Sequence, residues 1–255
     1  AGISDVGLVV HQSYQSLLDH VGSGKDWELS RKHGGLRILP PFSIAQEGRG
    51  EYRGIMEALG SVYSYLQNIR QDYVIMGCGD IAVNLPVADI FRQHIENGAD
   101  VTVVCSRKLS GAPRSTVYVS LSNQGRVTDM PINPPSAADA LESFEFYIVS
   151  KKLLLDMVEY CSAHNLHNFS RDVLLPRLST LKVMPYIHEG YAARFQSVGD
   201  YFKHSQDLLD PEIRADLFNP DRPIRTKDQS NPSTYYGPES KSICSLVADG
   251  CQIEG

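Results

Sequence analysis

Two hydrophobic periods alternate along the chain, and this alternation constrains its fold more than any other feature. Short apolar runs predict β-strands at residues 6–10, 73–76, 101–105 and 144–149. Helical patterns predict helices at residues 15–21, 52–69, 86–97 and 151–163. Strands that alternate with helices indicate an α/β fold, here a Rossmann-like, doubly wound and mostly parallel sheet.

The composition changes after about residue 190. We expect an α/β domain over residues 1–190 and an extended linker over 191–240, because the second stretch is dense in Pro, Asn, Asp and Ser. In the final segment, SLVADGCQIEG, Val247 and Ile253 lie six positions apart, which is one period of a hexapeptide β-helix. One period cannot bury a core, so we expect residues 241–255 to be the truncated first turn of a second domain.

The bulk composition narrows the choice of partners. The formal net charge of −6 argues against a nucleic-acid surface built on basic residues. No apolar run approaches the roughly 18 residues of a membrane span, and the first residues have no export-signal pattern. The five cysteines are widely scattered, which indicates free thiols in a reducing compartment. We therefore expect a cytoplasmic protein without nucleic-acid or membrane partners.

The motif GCGDIA follows the strand predicted at residues 73–76 and allows three interpretations. As a dinucleotide fingerprint it is incomplete, because Pro86 delays the helix and Asp80 would bring a carboxylate to the pyrophosphate. At the carboxyl end of a strand, Asp80 would instead be a ligand for a divalent cation that bridges nucleotide phosphates. Alternatively, Asp80 only caps the turn before the helix.

Longer segments carry a resemblance to one family. Residues 72–104 read DYVIMGCGDIAVNLPVADIFRQHIENGADVTVV, which resembles the D-Y-V-L-x-x-S-G-D-H-I-Y segment of bacterial ADP-glucose pyrophosphorylases (glucose-1-phosphate adenylyltransferases). The segments NFSRDVLLP and GYAARFQSVGDYFKHSQDLLD are similar to later motifs of that family, in the same order. Residues 16–42 and 52–59 more closely resemble its regulatory subunit of glycogen biosynthesis.

The resemblance implies a nucleotidyltransferase-type sheet followed by a left-handed β-helix. It also implies transfer of an adenylyl group from ATP to glucose 1-phosphate, a Mg²⁺ requirement, and tetramers that include a homologous catalytic subunit. Asp80 falls on the aspartate of S-G-D and Asp172 on that of F-G-x-D, so both are implied metal ligands. Ser143 falls on a sugar-phosphate contact in S-M-G-I-Y, and Gly54 on the nucleotide segment G-T-A-D-A, which implies substrate binding.

Several family positions are altered. The lysine that binds the sugar phosphate has no counterpart after Arg126, and Glu145 replaces the glycine of S-M-G-I-Y. Losing one charge-assisted bond to phosphate costs about 1.5–3 kcal/mol. In the W-x-D-V-G-T motif, Ala192 and Arg194 replace the tryptophan and the aspartate. The Gly-rich triphosphate loop is absent, and we expect the chain to begin after it.

These departures favour a regulatory, weakly active or inactive subunit. Two alternatives stay open. The first is an active nucleotidyltransferase in which Arg126 or Lys151 holds the phosphate of the substrate. The second is a scaffold subunit whose former site binds nothing.

Overall fold

The computed structural model describes residues 3–10, 14–40, 52–107, 116–133, 141–227 and 230–254. Its strands are β1 (Asp5–Val9), β2 (Gly35–Leu39), β3 (Tyr73–Met76), β4 (Ile81–Val83), β5 (Val101–Ser106), β6 (Tyr118–Leu121), β7 (Val127–Asp129), β8 (Leu141–Ser150), β9 (Val183–Ile187), β10 (Ala192–Arg194), β11 (Tyr235–Tyr236) and β12 (Gln252–Ile253). Its α-helices are α1 (Gln15–Val21), α2 (Ile55–Ser61), α3 (Tyr63–Asn68), α4 (Val87–Glu96), α5 (Lys151–His164), α6 (Val198–Asp207) and α7 (Pro211–Leu217). Shorter helical turns lie at Lys25–Trp27, Phe169–Leu174 and Leu175–Arg177. The four predicted strands are confirmed as β1, β3, β5 and β8.

The largest sheet has six strands, in the order β7-β6-β8-β5-β9, with β3 also paired to β8. Only β5 and β9 pair in parallel within this sheet as described, and the other four pairings are antiparallel. The prediction of a mostly parallel sheet is therefore wrong, and the sheet is mixed. The reason is β8, which follows the β6–β7 hairpin and runs antiparallel to each of its neighbours.

Helices cover both faces of this sheet, as a doubly wound arrangement requires. On β5, Val103 belongs to a large core cluster that contains residues of α2 and α5, such as Met56 and Leu154. The next residue, Val104, belongs to a smaller cluster with Ile90 of α4. Consecutive strand residues point to opposite faces, so the two clusters are the two sides of one layered core.

The helix predicted over residues 52–69 is two helices. α2 ends at Ser61, α3 begins at Tyr63, and Val62 lies between them with φ −112°. Gly60 and Val62 are both weak helix formers, which allows a break that the amphipathic period does not reveal.

The remaining elements form small separate pairs. β1 and β2 are parallel, and β4 pairs antiparallel with β10. The segment predicted as a linker, residues 191–240, contains β10, α6, α7 and β11. β11 and β12 form a parallel pair of two residues each, and the β-helix stays a prediction. Among the helices described, none is long and apolar enough to cross a bilayer.

Candidate functional site

The loop after β3 places Asp80 beside the short β4–β10 ribbon. In this ribbon Arg194 pairs with Ile81, directly after Asp80 in the chain. The backbone N–H of Phe195 donates to the carbonyl oxygen of Asp80 at 2.7 Å, which fixes the loop against β10. The pairing therefore brings Asp80 and Arg194 together at the same end of the β4–β10 ribbon.

A β-bulge in β8 brings a second carboxylate to this edge. On β5, Val104 pairs with Phe146 but Cys105 pairs with Ser143, so two residues of β8 stand between the paired ones. Glu145, one of these two, has φ 57°, the left-handed region that favours glycine. Its backbone N–H donates to Oγ of Ser143 at 3.0 Å. The bulge directs the Glu145 carboxylate toward Arg194.

Arg194 is the centre of the site. Its Nη1 lies 3.8 Å from Oδ2 of Asp80 and 3.5 Å from Oε2 of Glu145, and the side chain is only 5% exposed. Its Nη2 donates to the carbonyl oxygen of Ser143 at 2.9 Å. One guanidinium thus lies between two carboxylates, and the three groups together carry a net charge of −1.

Cys78 lies against the same carboxylates and is not an activated thiol. Its Sγ is 3.8 Å from Oε2 of Glu145. Burial, and then the negative charges of Glu145 and Asp80, raise the pKa of Cys78 to about 12. The residue stays protonated at neutral pH, so it offers neither a nucleophile nor a thiolate ligand.

Asp172 lies in a turn of its own. Its Oδ2 accepts hydrogen bonds from the backbone N–H groups of His167 and Asn168, at 3.1 and 2.9 Å. Its Oδ1 accepts from Nε of Arg171 at 2.7 Å. The Arg171 guanidinium, helped by the two backbone donors, holds the pKa of Asp172 well below its usual range. Both carboxylate oxygens are thus engaged within residues 167–172.

Known proteins resemble the chain along its whole length. It is 29% identical over 257 residues to the glycogen biosynthesis protein GlgD of Bacillus subtilis (strain 168), and 31% identical over 255 residues to GlgD of Geobacillus stearothermophilus. It is 30% identical over 262 residues to the glucose-1-phosphate adenylyltransferase of Geobacillus stearothermophilus. The chain is similar to proteins of the ADP-glucose pyrophosphorylase family. It spans 64%, 64% and 66% of the length of these three relatives.

No protein-family model matches the chain. The similarity to the ADP-glucose pyrophosphorylase family therefore rests on the curated relatives, which include both GlgD proteins and adenylyltransferases. Two of these three relatives are named as glycogen biosynthesis proteins and one as an adenylyltransferase. The chain is about equally similar to each.

Two residues that the resemblance implies as substrate contacts have structural roles in this chain. A Cβ at Gly54 would lie 2.3 Å from the carbonyl oxygen of His167, which also accepts from the N–H of Met56 at 3.0 Å. Glycine therefore lets the start of α2 approach the turn that holds Asp172. Ser143 is fully buried, and its Oγ and carbonyl oxygen accept from Glu145 and Arg194. Substrate binding by Gly54 and Ser143 stays a prediction.

The two cations considered as substitutes for the missing phosphate lysine are engaged elsewhere. Arg126 donates through Nη2 to the carbonyl oxygens of Leu178 and Leu181, at 2.6 and 2.7 Å. Lys151 donates through Nζ to the carbonyl oxygen of Ile69 at 2.7 Å. Lys151 follows Glu145 by six residues on an extended strand, which separates them by roughly 20 Å.

Arg194 is the site residue that the sequence reasoning did not assign. Its replacement of the motif aspartate is visible in the sequence, but its contact with Asp80 depends on the β4–β10 pairing. A sequence signal could have identified it: the residues that replace the motif glycine and the motif aspartate, Glu145 and Arg194, have opposite charges.

Proposed function

We propose that this chain is part of a regulatory member of the ADP-glucose pyrophosphorylase family, weakly active or inactive alone, that acts beside a catalytic homologue in glycogen biosynthesis. The observation that carries the proposal is the Glu145 carboxylate at the position of the motif glycine, paired with Arg194. The names of the two GlgD relatives support the pathway. We place this role in the cytoplasm, in line with the five free cysteines.

The charge balance explains why this site would bind a sugar phosphate weakly. A phosphate monoester is itself negative, and the Asp80–Glu145–Arg194 group has a net charge of −1. The single guanidinium is already engaged by Ser143 and by both carboxylates. Without the lysine, the lost charge-assisted bond of about 1.5–3 kcal/mol corresponds to roughly 10- to 150-fold weaker binding.

An assay of the full-length protein tests the proposal. Purified alone, the protein should form ADP-glucose from ATP and glucose 1-phosphate at least about 100-fold more slowly than a catalytic homologue. Mixed with that homologue, it should co-elute with it and change its KM or its response to effectors. Turnover alone that equals the homologue's would refute the regulatory role.

The internally paired site also suits a scaffold subunit that binds no nucleotide. Calorimetric titration of the full-length protein with ATP separates the two possibilities. A regulatory subunit that retains a nucleotide site gives saturable heat, whereas a scaffold gives only heat of dilution.

A further inference from the structure

The family resemblance implies Mg²⁺, so the site can be compared with what this ion requires. Mg²⁺ takes near-octahedral oxygen ligands at about 2.0–2.1 Å and is usually held by one or two carboxylates. Here Oδ2 of Asp80 faces a guanidinium nitrogen, and both oxygens of Asp172 are engaged in its own turn. Within the described ranges, no group of three or more His, Cys, Asp or Glu side chains is placed to hold a metal ion. The residues do not fit a resident Mg²⁺.

We propose that the guanidinium of Arg194 is the resident cation of this site and excludes a divalent metal from the Asp80–Glu145 carboxylate pair. This inference goes beyond the proposed function, because it concerns what neutralises the site and makes no assumption about turnover.

The position of Arg194 supports this assignment. Its side chain is 5% exposed, whereas Asp80 and Glu145 are 37% and 27% exposed, so the cation lies deeper than the anions. The bond from Nη2 to the Ser143 carbonyl oxygen anchors it to the sheet. An arginine side chain stays charged at any physiological pH. A divalent ion that entered between the carboxylates would therefore meet a fixed like charge.

A third carboxylate also lies within the field of Arg194. Burial raises the pKa of Glu142, and the positive charge of Arg194 opposes that rise. In addition, Oδ1 of Asp80 is buried and has no hydrogen-bond partner among the residues described. Removing the guanidinium would leave an acidic group with an unpaired oxygen acceptor, which is the chemistry that attracts a hard cation.

The substitution Arg194→Asp tests the assignment, because it replaces the cation with a carboxylate that faces Asp80. The full-length protein is freed of metal with a chelator and titrated with Mn²⁺, and free Mn²⁺ is measured by electron paramagnetic resonance. We expect wild type and Asp80→Asn to give the same binding curve. Arg194→Asp should gain one Mn²⁺ per chain with a Kd at least tenfold lower than any wild-type site, and the added change Asp80→Asn should remove it.

A matched control removes an arginine from another Arg–Asp pair. Arg92 contacts Asp89 on the surface of α4, where the two side chains are 64% and 53% exposed. Arg92→Ala should leave Mn²⁺ binding unchanged. That result would show that removing an arginine from an Arg–Asp pair does not by itself create a metal site.

Two outcomes overturn the proposal. One is wild-type binding of Mn²⁺ that Asp80→Asn abolishes. The other is a folded Arg194→Asp protein that gains no metal. If Arg194→Asp does not fold, Arg194→Met keeps the aliphatic part of the side chain and tests the same gain of a Mn²⁺ site. The comparison of wild type with Asp80→Asn still shows whether the wild-type protein binds Mn²⁺ at Asp80. Because binding is measured directly, a failure here is distinct from a failure of the activity assay.

Discussion

Glu145 combines a glycine-like backbone with an acidic side chain. Its φ of 57° lies in the left-handed region, which costs a residue with a Cβ about 1–2 kcal/mol relative to glycine. The bulge is held on both sides by the pairing of Ser143 and Phe146 with β5, so the backbone cannot relax. The chain therefore combines a backbone conformation that favours glycine with a carboxylate placed beside Arg194.

Glu145→Gly and Glu145→Ala separate these two effects. Both variants lose the carboxylate, but only glycine relieves the left-handed backbone. We expect Glu145→Gly to be more stable than Glu145→Ala by about 1 kcal/mol, measured by urea unfolding of the full-length protein. Equal unfolding free energies, or a more stable alanine variant, would contradict the strained bulge.

Among the secondary-structure elements, the turn that precedes and includes Phe169–Leu174 is organised by one carboxylate. Asp172 accepts from two backbone N–H groups and from Arg171, and its side chain is 13% exposed. Gly54 packs against the other side of this turn through His167. Asp172 thus holds the backbone of His167, which Gly54 contacts, against the turn whose N-cap is Asn168.

Asp172→Asn should reveal this role through its pH dependence. The pKa of Asp172 is lowered in the folded state, so its contribution is fully present above the unfolded value of about 3.9 and is lost as the pH falls below that value. We expect the variant to be less stable by about 1–3 kcal/mol at pH 7, with the difference shrinking below about pH 4. Urea unfolding at several pH values measures it.

The control for this experiment is Asp89→Asn. Asp89 also contacts an arginine, but its side chain is 53% exposed. Asp89→Asn should lower the free energy of unfolding by less than about 0.5 kcal/mol at pH 7. A pH-independent loss in Asp172→Asn would show that shape, not charge, holds the turn.

The types of the main elements could be predicted from the sequence, but their directions could not. An apolar run such as Tyr73–Met76 is local, and it identified β3. Whether β8 runs parallel or antiparallel depends on partners far along the chain, and no local pattern carries that information. The break at Val62 was missed for a different reason: the weak helix formers there are local, but the amphipathic period continues across them.

For the molecule as a whole, the site is the product of contacts between distant segments. Asp80 could be predicted because it lies in the short loop that follows a predicted strand, β3. Its neighbour Arg194 reaches it only through the pairing of β4 with β10, and Glu145 only through a bulge set by β5. The carboxylate at 172, which the resemblance paired with Asp80, has its own partners instead. Which side chains contact Asp80 is therefore determined by long-range strand pairing, which the local motifs do not reveal.

The central sheet that makes these contacts depends on both layers of its core. Val103 and Val104 are adjacent on β5, are 0% and 2% exposed, and face the large and the small cluster respectively. Val→Ala at either position removes two methyl groups, worth about 1.6 kcal/mol of burial, and leaves a cavity.

We therefore expect Val103→Ala and Val104→Ala each to lower the unfolding free energy by about 2 kcal/mol, measured by urea unfolding followed by circular dichroism. Val198→Ala, at a position that is 85% exposed, is the matched control and should change it by less than about 0.5 kcal/mol. If only Val103→Ala were costly, the smaller cluster would not be a stabilising layer. The Arg194 site, which lies on strands that include Ala192 and Phe144 of that cluster, would then need another source of rigidity.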